Sequence, residues 1–384
     1  MHGIARTRTL AARTAVAVGI AASAVALGAC GSSDSTTEAS AVNTDASQAL
    51  IAKYQKPPTF TAPGAAFDAV KGMKGKKIMS IGVTDQIPLI QEIEKEMKAQ
   101  AKRIGFTFTH WQNQGKSDQW IQGINTAIAQ KYDALDLLGI DPKLVKPQLE
   151  KARAAGVKVI STHLAGFGWE IPSYIDGAVR LPYREVGRIL AAWSIVQNKG
   201  KVNALAIVAN DLASSEDVIA GLREEFKANC PSCKLTIANV PSTQWTSGVQ
   251  NEVSSGIQRD PNLNYIIPIY DAMTQYAVAG LAVAGKAGKI PMNTFNGTPF
   301  ALDLVREGKV SMNIGENEAW IARAMLDANM RAAMDQPVPD TTYDKAPLLV
   351  FTKDNVATAG VPAQQSKGYG DEWESGFDQL WGLK

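Results

Sequence analysis

The chain has 384 residues, 45% of them hydrophobic and 20% charged, which is enough apolar material for a sizeable core and argues against wholesale disorder. Its 39 basic and 37 acidic residues nearly cancel, which removes bulk electrostatics as a basis for nucleic-acid binding. Three histidines and three cysteines leave little from which to build a metal centre, and neither metal nor cofactor is expected.

At the N-terminus, Arg6, Arg8 and Arg13 precede the apolar stretch Ala15–Leu27, which is too short and alanine-rich for a good membrane span. It ends in Leu27-Gly28-Ala29-Cys30, followed by a polar run. This pattern resembles the lipobox of bacterial lipoproteins, which implies cleavage before Cys30, lipidation of its thiol and an extracytoplasmic, membrane-anchored location. An ordinary signal peptide with an incidental cysteine is the alternative. Loss of Met1–Ala29 would remove three arginines, bringing the net charge from +2 to −1, and would leave His110 and His163 as the histidines. Residues 31–75, rich in Ser, Thr, Ala and Pro without a periodic apolar face, are expected to form a flexible tether.

From Lys76 onward, apolar runs of strand length alternate with helical periodicity. Strands are predicted at 77–83, 106–111, 134–139 and 158–161, with helices at 88–104, 120–129 and 145–155 between them. A less regular stretch covers 166–181. The alternation then resumes, with strands at 203–209, 234–239, 265–269 and 292–295 and helices at 183–196, 216–228, 249–258 and 272–284. A late run gives a strand at 310–314, a helix at 320–334 and a strand at 346–351. This order predicts an α/β fold of two doubly wound parallel-sheet lobes. The first lobe takes residues 76–177 plus about 317–338, and the second takes 178–316 plus about 342–355. Chain crossings near 175–182, 316–317 and 338–342 make a multi-strand hinge, and 356–384 is a C-terminal extension. There Trp373, Phe377 and Trp381 share one face of a short helix, read as packing on the body rather than on lipid. Between helix 216–228 and strand 234–239, Cys230 and Cys233 flank a turn. In an export compartment they are most simply a local disulfide, since a redox motif belongs where a helix opens after a strand.

Ligands of open parallel sheets sit beyond the carboxyl ends of the strands. The residues there are polar: Asp85, Gln86, Gln112, Asn113, Asp141, His163, Asn210, Asp211, Thr243, Gln244, Asp271, Asn296 and Glu316. Trp111, Trp169, Trp245, Tyr270 and Trp320 lie among them. Helix caps and turns account for part of this set. Long amides and indoles exceed what caps require and suit a small polyhydroxylated ligand, whose hydroxyls bond acids and amides while its C–H faces stack on rings.

Four segments carry a resemblance in their order and spacing: Thr84-Asp85-Gln86-Ile87-Pro88, Ala154-Ala155-Gly156-Val157-Lys158-Val159-Ile160, Ile269-Tyr270-Asp271-Ala272-Met273 and Phe295-Asn296-Gly297-Thr298-Pro299. Together they resemble the type I periplasmic binding proteins of the ribose-binding kind, which feed ATP-driven sugar importers, over about residues 76–351. The resemblance implies a monomeric solute-binding lipoprotein that hands a sugar or polyol to an ABC permease. It implies ligand contacts from Asp85, Gln86, His163, Asp217, Thr243, Tyr270, Asn296 and Glu316. Position along the strand ends adds Trp111, Asn113, Trp245, Asp271 and Trp320. Sugar binders of this group commonly carry an Asp-Arg pair where this chain has His163-Leu164, and a second arginine where Asp217 stands. The aligned site is therefore acidic, which disfavours sugar phosphates and acids and leaves neutral sugars, open-chain polyols or a cationic amine.

Other motifs fail on inspection. Gly115-Lys116-Ser117 lacks the upstream glycine of a phosphate loop, because His110 stands there, and no Gly-x-Ser-x-Gly elbow occurs. Asp133 and Asp136 flank a strand and are read as solvated. The rival hypotheses are a secreted carbohydrate-active enzyme using Asp271 and Glu316 as acid and base, and a receptor that reports its ligand to a sensor protein.

Overall fold

A sheet covered by helices on both faces needs apolar residues at every strand position, and the short Val-, Ile- and Leu-rich runs provide them. The computed structural model describes residues 42–339 and 347–383. In it, β1 (Lys77–Gly82), β2 (Thr107–His110), β3 (Ala134–Leu138), β4 (Lys158–Thr162) and β5 (Gly177–Val179) form one parallel sheet in the order β2-β1-β3-β4-β5. Every residue of β3, at its centre, is buried. β5 lies inside the stretch read from sequence as irregular. At three residues it is too short to leave a periodic signature.

The second lobe contains β6 (Asn203–Val208), β7 (Lys234–Asn239), β8 (Tyr265–Pro268), β9 (Asn293–Asn296), β10 (Met312–Glu316) and β11 (Leu348–Thr352). They make two three-stranded sheets, β7-β6-β8 and β9-β10-β11, linked by a parallel bridge between Ile266 and Met292. β11 runs antiparallel to β10, so the parallel lobe expected from sequence carries an antiparallel edge strand. The third predicted hinge crossing lies partly outside the described residues, as does Cys30.

Helix starts and stops follow local chemistry. Helix Pro88–Ile104 opens with a proline at its first turn, where no N–H is needed, and ends at Gly105 with φ +96°, a left-handed cap. Helices Tyr183–Gln197 and Ser214–Asn229 cross at two glycines. A Cβ built on Gly221 would lie 1.9 Å from the Arg184 carbonyl oxygen. Gly221→Ala is therefore expected to cost about 1–3 kcal/mol through overpacking, read as a lower urea midpoint. An unchanged midpoint would mean that the crossing relaxes freely.

Helix Glu318–Ala333 returns to the first sheet, where Asn329 Nδ2 donates to Asp136 Oδ1 at 3.0 Å. Asp136 is 0% exposed, so its reading as a solvated carboxylate is corrected: it also accepts from Thr162 Oγ1 at 2.9 Å. Ser80 Oγ sits 2.6 Å from Glu94 Oε1 and 2.8 Å from Asp136 Oδ2. One hydroxyl proton cannot serve two carboxylates, so one of the pair retains its own proton. Burial favours this, raising the Glu94 carboxyl well above its usual range and Asp136 to about 6.

The tether expectation is overturned from Asn43 onward. Helix Thr44–Ala52 buries Leu50 and Ile51, and Ser47 Oγ donates to the buried Glu225 at 2.9 Å. Tyr54 offers its carbonyl to Val350 N at 2.7 Å, beside β11. Phe60 then packs on Trp320 and Phe377, and Ala69 N donates to the Trp381 carbonyl. The segment thus touches the second lobe first and the first lobe afterwards. Its apolar residues are spaced for several separate docking points, not for one helical face, which is why periodicity missed them. Cys230 and Cys233 are joined in a disulfide on the turn before β7, with their Cα atoms 5.3 Å apart.

Candidate functional site

The carboxyl ends of strands from both lobes meet around one narrow cavity. The first lobe supplies Val83 after β1, Ile87, Leu89 and Ile90 from the start of the following helix, Gly139 after β3 and His163 after β4. The second lobe supplies Leu212, Ser214, Trp245, Tyr270, Asp271, Ala272 and Asn296. Two lining residues hold left-handed backbone despite carrying side chains, His163 at φ +52° and Asn296 at φ +130°. Such strain persists where the surroundings hold a side chain in one direction.

His163 links the lobes. Its Nε2 lies 3.1 Å from Glu316 Oε1 and its Nδ1 lies 2.8 Å from the Tyr183 hydroxyl. Asn296 Nδ2 donates to the same Glu316 oxygen at 2.7 Å. Asp271 is buried, and its Oδ2 accepts from both the backbone N and Oγ1 of Thr298, each at 2.8 Å. Burial raises its carboxyl to about 7 against the pull of those two donors and of the Asn313 side chain. Tyr270 is fixed by Ser214 Oγ at 2.8 Å and Ser215 Oγ at 3.0 Å, and Trp245 lies 6.1 Å from its ring with Nε1 donating to the Val240 carbonyl.

Of the residues singled out in the sequence, the structure brings His163, Trp245, Tyr270, Asp271 and Asn296 to the cavity wall. Glu316 lies directly behind that wall. Asp85 instead ties two loops together, with Oδ1 2.7 Å from His110 Nε2 and Oδ2 accepting Asn113 N at 2.9 Å. Asn113 is buried in the same loop, donating to the Gly82 carbonyl and accepting from Trp120 Nε1. Trp111 packs on the helix face at Gly123 and donates to the Gln119 carbonyl. Gln86 and Thr243 are exposed and line no part of the cavity. Asp217 accepts Gly166 N at 2.9 Å beside a separate surface groove. Trp320 is a core residue, stacked on Trp373 at 6.1 Å and 12°. The expected acidic rim therefore reduces to one lining carboxylate, Asp271. The sequence reading missed Ile87, Leu89, Ile90 and Leu212, whose signal was apolar character immediately after a strand, where polar residues were being sought.

Two doubly wound lobes with a cavity between their strand ends define a two-lobed solute-binding fold. Residues 78–337 match the family described as the periplasmic binding protein domain, and the chain belongs to this family of extracytoplasmic solute-binding proteins, which are not enzymes. It is 24% identical over 229 residues to the D-apiose import binding protein of Actinobacillus succinogenes, covering 58% of this chain and 70% of that protein. Its fold matches an ABC transporter solute binding protein of Agrobacterium vitis with bound allitol, with a TM-score of 0.66 and 19% identity, covering 74% of this chain and 97% of that one. A solute binding protein of Mycobacterium smegmatis with bound glycerol gives a TM-score of 0.66 at 19% identity, covering 76% and 99%.

Proposed function

We propose that this protein is a lipid-anchored, monomeric receptor that encloses a sugar or polyol between its lobes and presents the closed form to an ABC permease. The observation that carries the reading is the cavity lined from the strand ends of both lobes. A solute touching both lobes favours the closed arrangement by its differential contacts, and a permease can read closure. The apiose named for one relative, and the allitol and glycerol bound in two similar structures, support a neutral polyhydroxylated solute. A cationic solute is less well served, because the single lining carboxylate is already fed by two donors. The acid–base pairing of Asp271 with Glu316 loses its basis, since Glu316 is held behind the wall by His163 and Asn296.

Two measurements test the proposal. Thermal-shift screening against sugars and polyols should find a stabilising solute, with about 2.7 kcal/mol gained at 100 times its dissociation constant, and the solute should be recovered chemically unchanged. Altered solute would sink the transport reading. Cys30→Ala should release the protein from membranes in detergent-phase partitioning, and retention of the variant on membranes in high salt would overturn the anchor.

A further inference from the structure

Resting on the sugar-or-polyol reading above, we propose that the solute carries a deoxygenated edge, a methyl or methylene where an ordinary sugar has a carbinol. Much of the cavity wall is hydrocarbon: Ile87, Leu89 and Ile90 from the first lobe, Leu212, Trp245 and Ala272 from the second. No lysine or arginine lines it among the described residues.

The polar side chains that do line it are mostly committed to the protein. Both ring nitrogens of His163 are partnered, by Tyr183 and Glu316. The Tyr270 hydroxyl is taken by Ser214 and Ser215, and Ser215 also donates to the Ala209 carbonyl. Asp271 Oδ2 receives two hydrogen bonds from Thr298, and Asn296 Nδ2 is spent on Glu316. What the internal bonds leave for a solute is chiefly the Oδ1 atom of each of these last two residues, both acceptors.

Each hydroxyl of a sugar is one donor and two acceptor sites. A fully hydroxylated pentose or hexose buried here would satisfy a few hydroxyls at Asp271 and Asn296 and leave others facing Ile87, Leu89, Ile90 and Leu212 without partners. A buried polar group without a partner is penalised, whereas a methyl or methylene against the same wall gains from leaving water. The wall therefore selects for a solute with few hydroxyls to satisfy and a bare carbon to set against Ile87, Leu89, Ile90 or Leu212.

The test uses matched pairs differing at one carbon: L-fucose with L-galactose, L-rhamnose with L-mannose, and 2-deoxy-D-ribose with D-ribose. Dissociation constants on the purified full chain are measured by titration calorimetry. The deoxy member of the best-bound pair should bind at least about tenfold tighter than its parent, the effect of one misplaced polar group. Leu212→Ser, and independently Ile87→Thr should the first fail to fold, should shrink that ratio by supplying a partner for the extra hydroxyl. Parent sugars binding as tightly as their deoxy partners, or a ratio untouched by the wall substitutions, would overturn the inference and leave the solute-binding reading intact. If none of these sugars bound, and the thermal-shift screen found no stabilising sugar or polyol either, the sugar-or-polyol reading itself would fall with it.

Discussion

Trp381→Ala is expected to lower the stability of the chain by about 3–5 kcal/mol, the usual cost of emptying a fully buried aromatic site. The indole is 0% exposed, packs on Phe377 at 5.2 Å between ring centres and donates through Nε1 to Asp327 Oδ1 at 2.9 Å. Asp327 is itself buried and bonded to Arg331 Nε at 2.7 Å. Burial raises its carboxyl, and Arg331 and Trp381 pull it back. Removing the indole deletes one of those pulls, so the folded-state pKa rises further. A raised carboxyl contributes stability that is lost as pH rises through its folded value, so the deficit of the variant should widen with increasing pH. Trp381→Phe keeps most of the packing and isolates the hydrogen bond, at about 1.5–3 kcal/mol for a bond to a charged acceptor. Urea denaturation at two pH values reads both effects. A Trp381→Ala midpoint equal to that of the parent would show that helix Glu372–Leu380 is dispensable to the fold.

The position of Trp381 also explains why both ends of the domain matter to its two halves. The N-terminal segment runs from helix Thr44–Ala52 on the second lobe to Phe60 and Ala69 beside Trp320 and Trp381 on the first. The C-terminal segment passes Tyr369, edge-on to Phe351 of β11, before reaching the helix that buries Trp373 and Trp381. Each segment therefore spans the same two bodies that the chain crossings and the His163–Glu316 contact already connect.

The alternation of strands and helices was legible because most elements between β1 and helix Glu318–Ala333 carry their own apolar period. What was not legible lacks a period. β5 is three residues long, helix Pro299–Arg306 is a two-turn element in a stretch to which no element was assigned, and residues 43–75 dock through isolated anchors. At the site, position after a strand identified the right loops but not the right side chains. Asp85 and Asn113 sit in such loops and face each other, because a short polar side chain there satisfies loop amides as readily as it meets a ligand. Asp271 and Asn296 escape that fate because Thr298 and Glu316 hold each by one atom only.

That geometry makes Asp271 the substitution with the largest expected effect on binding. With Oδ2 fixed by Thr298, Oδ1 is left to accept a solute hydroxyl, and loss of such a charge-assisted bond typically costs about 1.5–3 kcal/mol, roughly 10- to 150-fold in affinity. Asp271→Ala should weaken binding by at least about tenfold while the apo chain still folds. Asp271→Asn adds a test of sign. Because burial raises this carboxyl to about 7, its contribution to apo stability is greatest near pH 4 and is lost as pH rises through 7. Affinity should run the other way, since a solute hydroxyl donates best to the ionised carboxylate and binding weakens as pH falls below 7. The amide abolishes both contributions, so it should flatten this part of the stability profile and remove the pH dependence of affinity together. Calorimetric titration and urea denaturation across pH 5 to 8 read the two slopes on the same protein. A variant that kept either slope would assign it to another group, and one that kept full affinity would remove Asp271 from the ligand site.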